Sequence, residues 1–125
     1  MASPLTERIE AAQARLEAAV LACAEAARTA GVAELGRDAT RRALHEAQAR
    51  HLLGGAVQGR NQAERDAQLV ALTAAESFEA EEAEVELKQA RTGLDLANLE
   101  LTAAQYAIRS LELLLVARRL EGSAD

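Results

Sequence analysis

The stretch LKQARTGLDLANLELTAAQYAIRSLELLL, residues 87–115, decides the fold. Within it Leu87, Ala90, Leu94, Ala97, Leu101, Ala104, Ile108, Leu111 and Leu115 recur at alternating three- and four-residue intervals without a miss. That spacing keeps the apolar side chains on one stripe of an α-helix and is the pattern of a coiled-coil seam. Alanine at every second seam position lets a partner helix come close, and Gly93 beside the seam suits the same approach. A second stripe, Leu96, Leu99, Ala103, Tyr106, Ser110, Leu113, Ala117 and Leu120, lies on another face. One antiparallel partner covers only one of the two.

Start and stop signals around this stretch predict three helices. Asn61 is a strong N-cap, and Glu64 three residues later completes a capping-box spacing. Nothing stops that helix before Gly122, which follows Arg118 and Arg119 in a last turn where cations suit the helix dipole. The predicted helix 61–121 is about 60 residues and ~90 Å long. A globule of this chain length has a radius of gyration of only ~14 Å, so an elongated molecule is expected. Gly54-Gly55-Ala56-Val57-Gln58-Gly59 interrupts any helical pattern and predicts a hairpin turn over 54–60.

Upstream, Asp38 reads as the cap of a helix over 38–53 that turns Leu44, Ala47 and Leu52 inward. Gly31 and Gly36 bracket Val-Ala-Glu-Leu and predict a break or kink. Before it, Ser3 and Pro4 open a helix over 4–30 with Glu7 in its first turn. Leu5, Ile9, Ala12, Leu16, Ala19, Cys23, Ala26 and Ala30 give this helix its own three-four seam. Cys23 on that seam reads as a small buried hydrophobe. The predicted fold is a single all-α domain, 1–125. It is an elongated antiparallel hairpin, coiled-coil-like, with two shorter helices on one long helix.

Composition supports this reading. The chain has 125 residues, is 50% hydrophobic and only 2% aromatic, with Phe78 and Tyr106 as its aromatics. About a quarter of it is alanine, whose methyl buries little area, so a compact globule with a bulky interior is disfavoured. One proline and few β-branched residues disfavour a sheet. Ala, Glu, Leu, Arg and Gln are the residues of long helices.

A turn centred near Val57 sets Leu53 opposite Asn61 and the start of the first helix near Arg109. Leu111, Leu113, Leu114, Leu115 and Val116 are then expected to overhang their own partner. An apolar end of this kind is covered by association. Leu111, Leu113, Leu114, Leu115 and Leu120 are therefore the candidate oligomer interface of a homo-oligomeric bundle, dimer or tetramer, and a separate protein partner is an alternative.

The charges exclude more than they assign. A net charge of −6 argues against a generally basic nucleic-acid binder. Lys88 is the only lysine among 14 basic residues, a usage typical of GC-rich genomes. Residues 76–86 hold six glutamates and no base, whereas residues 36–65 hold six arginines against Asp38, Glu46 and Glu64. Arg41, Arg42, Arg50 and Arg60 are candidate phosphate contacts at the hairpin tip, together with His45. No aromatic lies near them to stack on bases. Cross-helix pairing with glutamates such as Glu64, Glu76 and Glu79 is the preferred reading. A nucleic-acid accessory role is the runner-up, separable by a salt-sensitive gel shift.

No catalytic residue is expected. His45 and His51, six apart, fall on different helix faces, and no Glu-x-x-His or His-x-x-x-His spacing is present for a bundle metal site. Glu79, Glu82 and Glu86 share a face, but a solvated acidic strip outweighs an all-carboxylate cation site. Gly-Gly-Ala-Val-Gln-Gly-Arg lacks the Lys-Ser/Thr ending of a phosphate loop. Cys23 alone can form neither an intramolecular disulfide nor a cysteine-based metal site. Thus no enzyme activity, cofactor or metal is expected. No run approaches the ~20 apolar residues of a membrane span. Met1-Ala2-Ser3-Pro4 lacks a basic region leading into an apolar core, so a cytoplasmic protein is the expectation.

Residues 59–69, Gly-Arg-Asn-Gln-Ala-Glu-Arg-Asp-Ala-Gln-Leu, carry one resemblance. The string Gly-basic-Asn-x-x-x-Arg-x-x-x-Leu opening a long Ala/Glu/Leu/Arg helix resembles that of small, mostly uncharacterised bacteriophage proteins. The likeness covers about the last half of the chain. It implies a phage or prophage source and the host cytoplasm, and it brings no activity or site residue with it.

Overall fold

The computed structural model describes residues 3–123; Met1 and Ala2, part of the N-terminal stretch read above, lie outside them, as do Ala124 and Asp125. The described residues form three helices, α1 (Pro4–Leu53), α2 (Gln62–Leu72) and α3 (Ala74–Ser123), and no strand. The fold is all-α, as the three-four spacing predicts. The chain divides into two compact units. One joins the chain up to Arg28 with the chain from Thr92 onward, and the other is Thr29–Arg91.

In the first unit α1 and α3 run antiparallel, because rising numbers on α1 meet falling numbers on α3. Leu5, Ile9 and Ala12 cluster with Ile108, Leu111 and Leu115, Arg15 binds Glu100, and Cys23 lies at Asn98. Leu5, Ala12, Ala19, Ala104 and Leu111 are buried. Ile9, Leu16, Cys23, Leu94, Ala97, Leu101 and Ile108 are half-buried. These are the seam positions of both helices. Alanine at Ala12, Ala19 and Ala104 leaves room for the two backbones to approach. In the second unit the buried set is Ala47, Thr73, Ala80, Ala83 and Leu87, and Arg41 pairs with Glu84.

The start of α1 follows its sequence signals. Thr6 N–H donates to Ser3 Oγ at 3.1 Å and Glu7 N–H to the Ser3 carbonyl at 3.0 Å, so Ser3 caps the helix ahead of Pro4. The expected break at Gly31–Gly36 does not occur. α1 is one helix of 50 residues. The three-four phase continues past Ala30 through Ala33, Arg37, Thr40, Leu44, Ala47 and His51, each buried or half-buried. A seam that stays in phase needs a continuous helix, and two glycines off the seam cost only about 1 kcal/mol each. Asp38 is accordingly interior, accepting a hydrogen bond from its neighbour Arg37 at 2.8 Å rather than capping. Leu52 is exposed, and His51 holds the seam position beside it.

A Cβ at Gly31 or Gly36 meets nothing within 4 Å. Gly31→Ala and Gly36→Ala are each expected to raise stability by about 1 kcal/mol in urea unfolding. A glycine serving a true break would make the same change destabilising.

The hairpin turn is ordered by hydrogen bonds. Ala56 N–H reaches back to the His51 carbonyl at 3.2 Å across Gly55, whose φ of 74° is the left-handed conformation of a helix-ending glycine. Gln68 Oε1 accepts from the N–H groups of Gln58 and Gly59 at 2.9 and 3.0 Å, tying the turn to α2. Asn61 caps α2 through its side chain to Glu64 N–H at 2.8 Å, and Glu64 Oε2 returns to Arg60 N–H at 2.8 Å. The expected capping box forms, with its return bond one residue early.

The expected single helix over 61–121 is interrupted once, at Thr73. Its backbone (φ −111°, ψ 22°) leaves the helical region while its N–H still bonds the Leu69 carbonyl. Thr73 Oγ1 donates to the same carbonyl at 2.7 Å. A hydroxyl bonded back one turn competes with the backbone and bends a helix. The Thr73 carbonyl then accepts from Ser77 at 2.9 Å and starts α3.

Candidate functional site

The candidate site is the part of α3 that its own chain leaves open. Leu96, Leu99, Tyr106, Leu113 and Leu120 are 62–66% exposed, and Ala103, Ser110 and Ala117 between them are exposed as well. All eight belong to the first unit. At 100° per residue this stripe stands roughly 150° around the helix from the covered seam. The antiparallel α1 covers one stripe and leaves the other, as the spacing requires.

Sequence reasoning places the interface at Leu111, Leu113, Leu114, Leu115 and Leu120, and the structure separates these residues. Leu111 is buried against Leu5 and Ala12, and Leu115 packs on the same cluster with Ile9. Neither overhangs. α1 begins far enough along α3 to cover both, so they belong to the intrachain core. Leu113, Leu114, Val116 and Leu120 are exposed. Leu96, Leu99 and Tyr106, absent from the expected interface, share the open face with Leu113 and Leu120. The signal for them was the second stripe itself.

Three of the four arginines stand on α1 and one in the turn. Arg41 is held in the second unit by Glu84. It lies nine residues, about 14 Å of helix, before Arg50, while Arg60 is in the turn. Arg42, Arg50 and Arg60 are exposed. The strip of α1 that carries Arg41, Arg42 and His45 also carries Asp38 and Glu46, so its formal charge is near zero. The partner of Arg41 is Glu84, not the expected Glu64, Glu76 or Glu79.

Among the described residues no group of three His, Cys, Asp or Glu side chains is placed to hold a metal ion. Glu79, Glu82 and Glu86 are exposed, and Glu82 and Glu86 line a shallow surface with Phe78, Glu81 and Val85. Cys23 is half-buried, with its thiol 3.5 Å from Asn98 Oδ1. No described helix is long and apolar enough to cross a membrane.

One ion pair carries a pH signature. Arg15 Nε and Nη2 donate to the two oxygens of Glu100 at 2.7 and 3.1 Å, a forked pair between α1 and α3. The hydrogen bond from Arg15 holds the Glu100 carboxyl below the usual glutamate range. A lowered folded-state pKa contributes stability above the ordinary glutamate value and loses it as pH falls through the lowered one. Carboxyl NMR titration is expected to show the Glu100 midpoint rising toward the ordinary value in Arg15→Gln. An unchanged midpoint would mean that the pair does not persist in solution.

No protein-family model, curated protein or solved structure matches the chain.

Proposed function

We propose that this chain is a non-catalytic structural or interaction protein that assembles through its helices. The observation that carries the reading is the pair of apolar stripes on α3, one covered by α1 and one open over Leu96–Leu120. A contiguous exposed apolar strip on a helix is the mark of a protein contact. Its expected state is a homo-oligomer, dimer or tetramer, and the string at residues 59–69 supports a phage-encoded protein acting in the host cytoplasm. The runner-up, a nucleic-acid accessory role, is weakened by the pairing of Arg41 with Glu84 and the acids beside Arg42.

The test is the solution mass. Light scattering at micromolar concentration is expected to return at least twice the chain mass of 13.3 kDa. A mass of one chain together with a salt-sensitive shift of DNA or RNA would replace the assembly reading with the accessory role.

A further inference from the structure

The open stripe has a size pattern that names its occupant. Along α3 it starts at Leu96 and from there alternates large and small as Leu99, Ala103, Tyr106, Ser110, Leu113, Ala117, Leu120, with no charged residue among the eight. We infer that this stripe binds the same stripe of a second copy, the two α3 helices running antiparallel about a two-fold axis near residue 108. The inference rests on the assembly reading and specifies its partner, face and direction.

Reversal is what makes the stripe complementary to itself. With the axis near residue 108, Leu99 faces Ala117 of the second copy, Ala103 faces Leu113, and Tyr106 faces Ser110. Leu96 faces Leu120 at each end. Three of the four distinct layers then join a bulky side chain to a small one, which lets layers interdigitate at even volume. All eight positions are used twice. A parallel pairing stacks each residue on its own copy instead. Ala103, Ser110 and Ala117 would then leave gaps between layers crowded by Leu and Tyr.

The area is sufficient. Each of the five large side chains on the stripe exposes on the order of 100 Å² of apolar surface, so the five give about 1,000 Å² across two copies. Leu114 and Val116, exposed beside the stripe, bring the area available for burial toward the lower end of a standard stable interface, ~1,200–2,000 Å². A solitary partner helix of another protein would need its own large-small alternation in the opposite phase. The second copy already has it.

Cysteine cross-linking reads both partner and direction. In a Cys23→Ser background, Leu99→Cys with Ala117→Cys places the two thiols 18 residues apart on one helix. That is ~27 Å of helix, beyond the ~7 Å reach of a disulfide. On oxidation the double variant is expected to run as a covalent dimer on a non-reducing gel, and each single variant as one chain. Both residues are exposed, so helicity by circular dichroism is expected to match the parent. Covalent dimer from either single variant would mean parallel pairing and overturn the inference. So would a double variant that stays uncrosslinked while light scattering still finds an oligomer, and the assembly reading would then survive alone. A parent protein that is monomeric at 100 times the concentration used for cross-linking would overturn both.

Discussion

Leu87→Ala is expected to lower the free energy of unfolding by about 2–5 kcal/mol, the range for deleting a buried leucine side chain without collapse of the site. Leu87 is 1% exposed in the second unit, where it is the bulkiest fully buried side chain. The other buried residues of the unit, Ala47, Thr73, Ala80 and Ala83, are all small. Val85, two residues away and 55% exposed, is the control. Val85→Ala is expected to change stability by no more than about 0.5 kcal/mol. Urea unfolding followed by circular dichroism measures both. Equal effects would mean that the covered seam is not the one that holds the helices.

The second large effect is Leu111→Glu, expected to cost about 3–5 kcal/mol and to unfold the first unit. The change removes a side chain packed on Leu5 and Ala12 and leaves a carboxylate among apolar groups. Leu113→Glu, two residues on, puts the same charge on the open face, where water reaches it. Hydrogen exchange separates the two outcomes. Leu111→Glu is expected to strip protection from the α1 and α3 amides of the first unit, and Leu113→Glu to leave the protection within a single chain intact. Loss of protection in both would place Leu113 in the intrachain core as well.

The two leucines also show what a periodic sequence does and does not disclose. The three-four spacing marks Leu111 and Leu115 as facing something, and it equally marks Leu113 and Leu120 on the other stripe. Whether the facing surface belongs to the same chain depends on where α1 begins against α3. A single helical turn of cover decides that: Leu5, expected near Arg109, packs with Leu111, and Leu115 joins the same cluster. The tip residues 54–61 do not reveal their own geometry. The left-handed Gly55 and the Gln68 bonds to Gln58 and Gly59 set it. Nothing in the local pattern points to Gln68.

Elsewhere the phase was the better guide than punctuation. Gly31 and Gly36 look like a stop, yet Ala33, Arg37, Thr40, Leu44, Ala47 and His51 continue the seam across and beyond them. The polar Arg37, Thr40 and His51 conceal that continuity from a search for apolar residues alone. Thr73 reverses the lesson. It continues the α3 seam backwards through Ala83, Ala80 and Glu76 and is fully buried, but its hydroxyl takes the Leu69 carbonyl and interrupts the helix. The helix signals around it are good on both sides, so a back-bonding threonine was the sole cue. The caps at Ser3 and Asn61, by contrast, are local chemistry and were fully legible.

The central claim is that the stripe Leu96–Leu120 of α3 is where this chain assembles. Light-scattering mass of the parent beside the Leu99→Glu, Leu113→Glu double variant tests it most directly, with circular dichroism confirming that both remain helical. The account predicts at least twice 13.3 kDa for the parent and 13.3 kDa for the variant. The same mass for both, whether one chain or several, would contradict it.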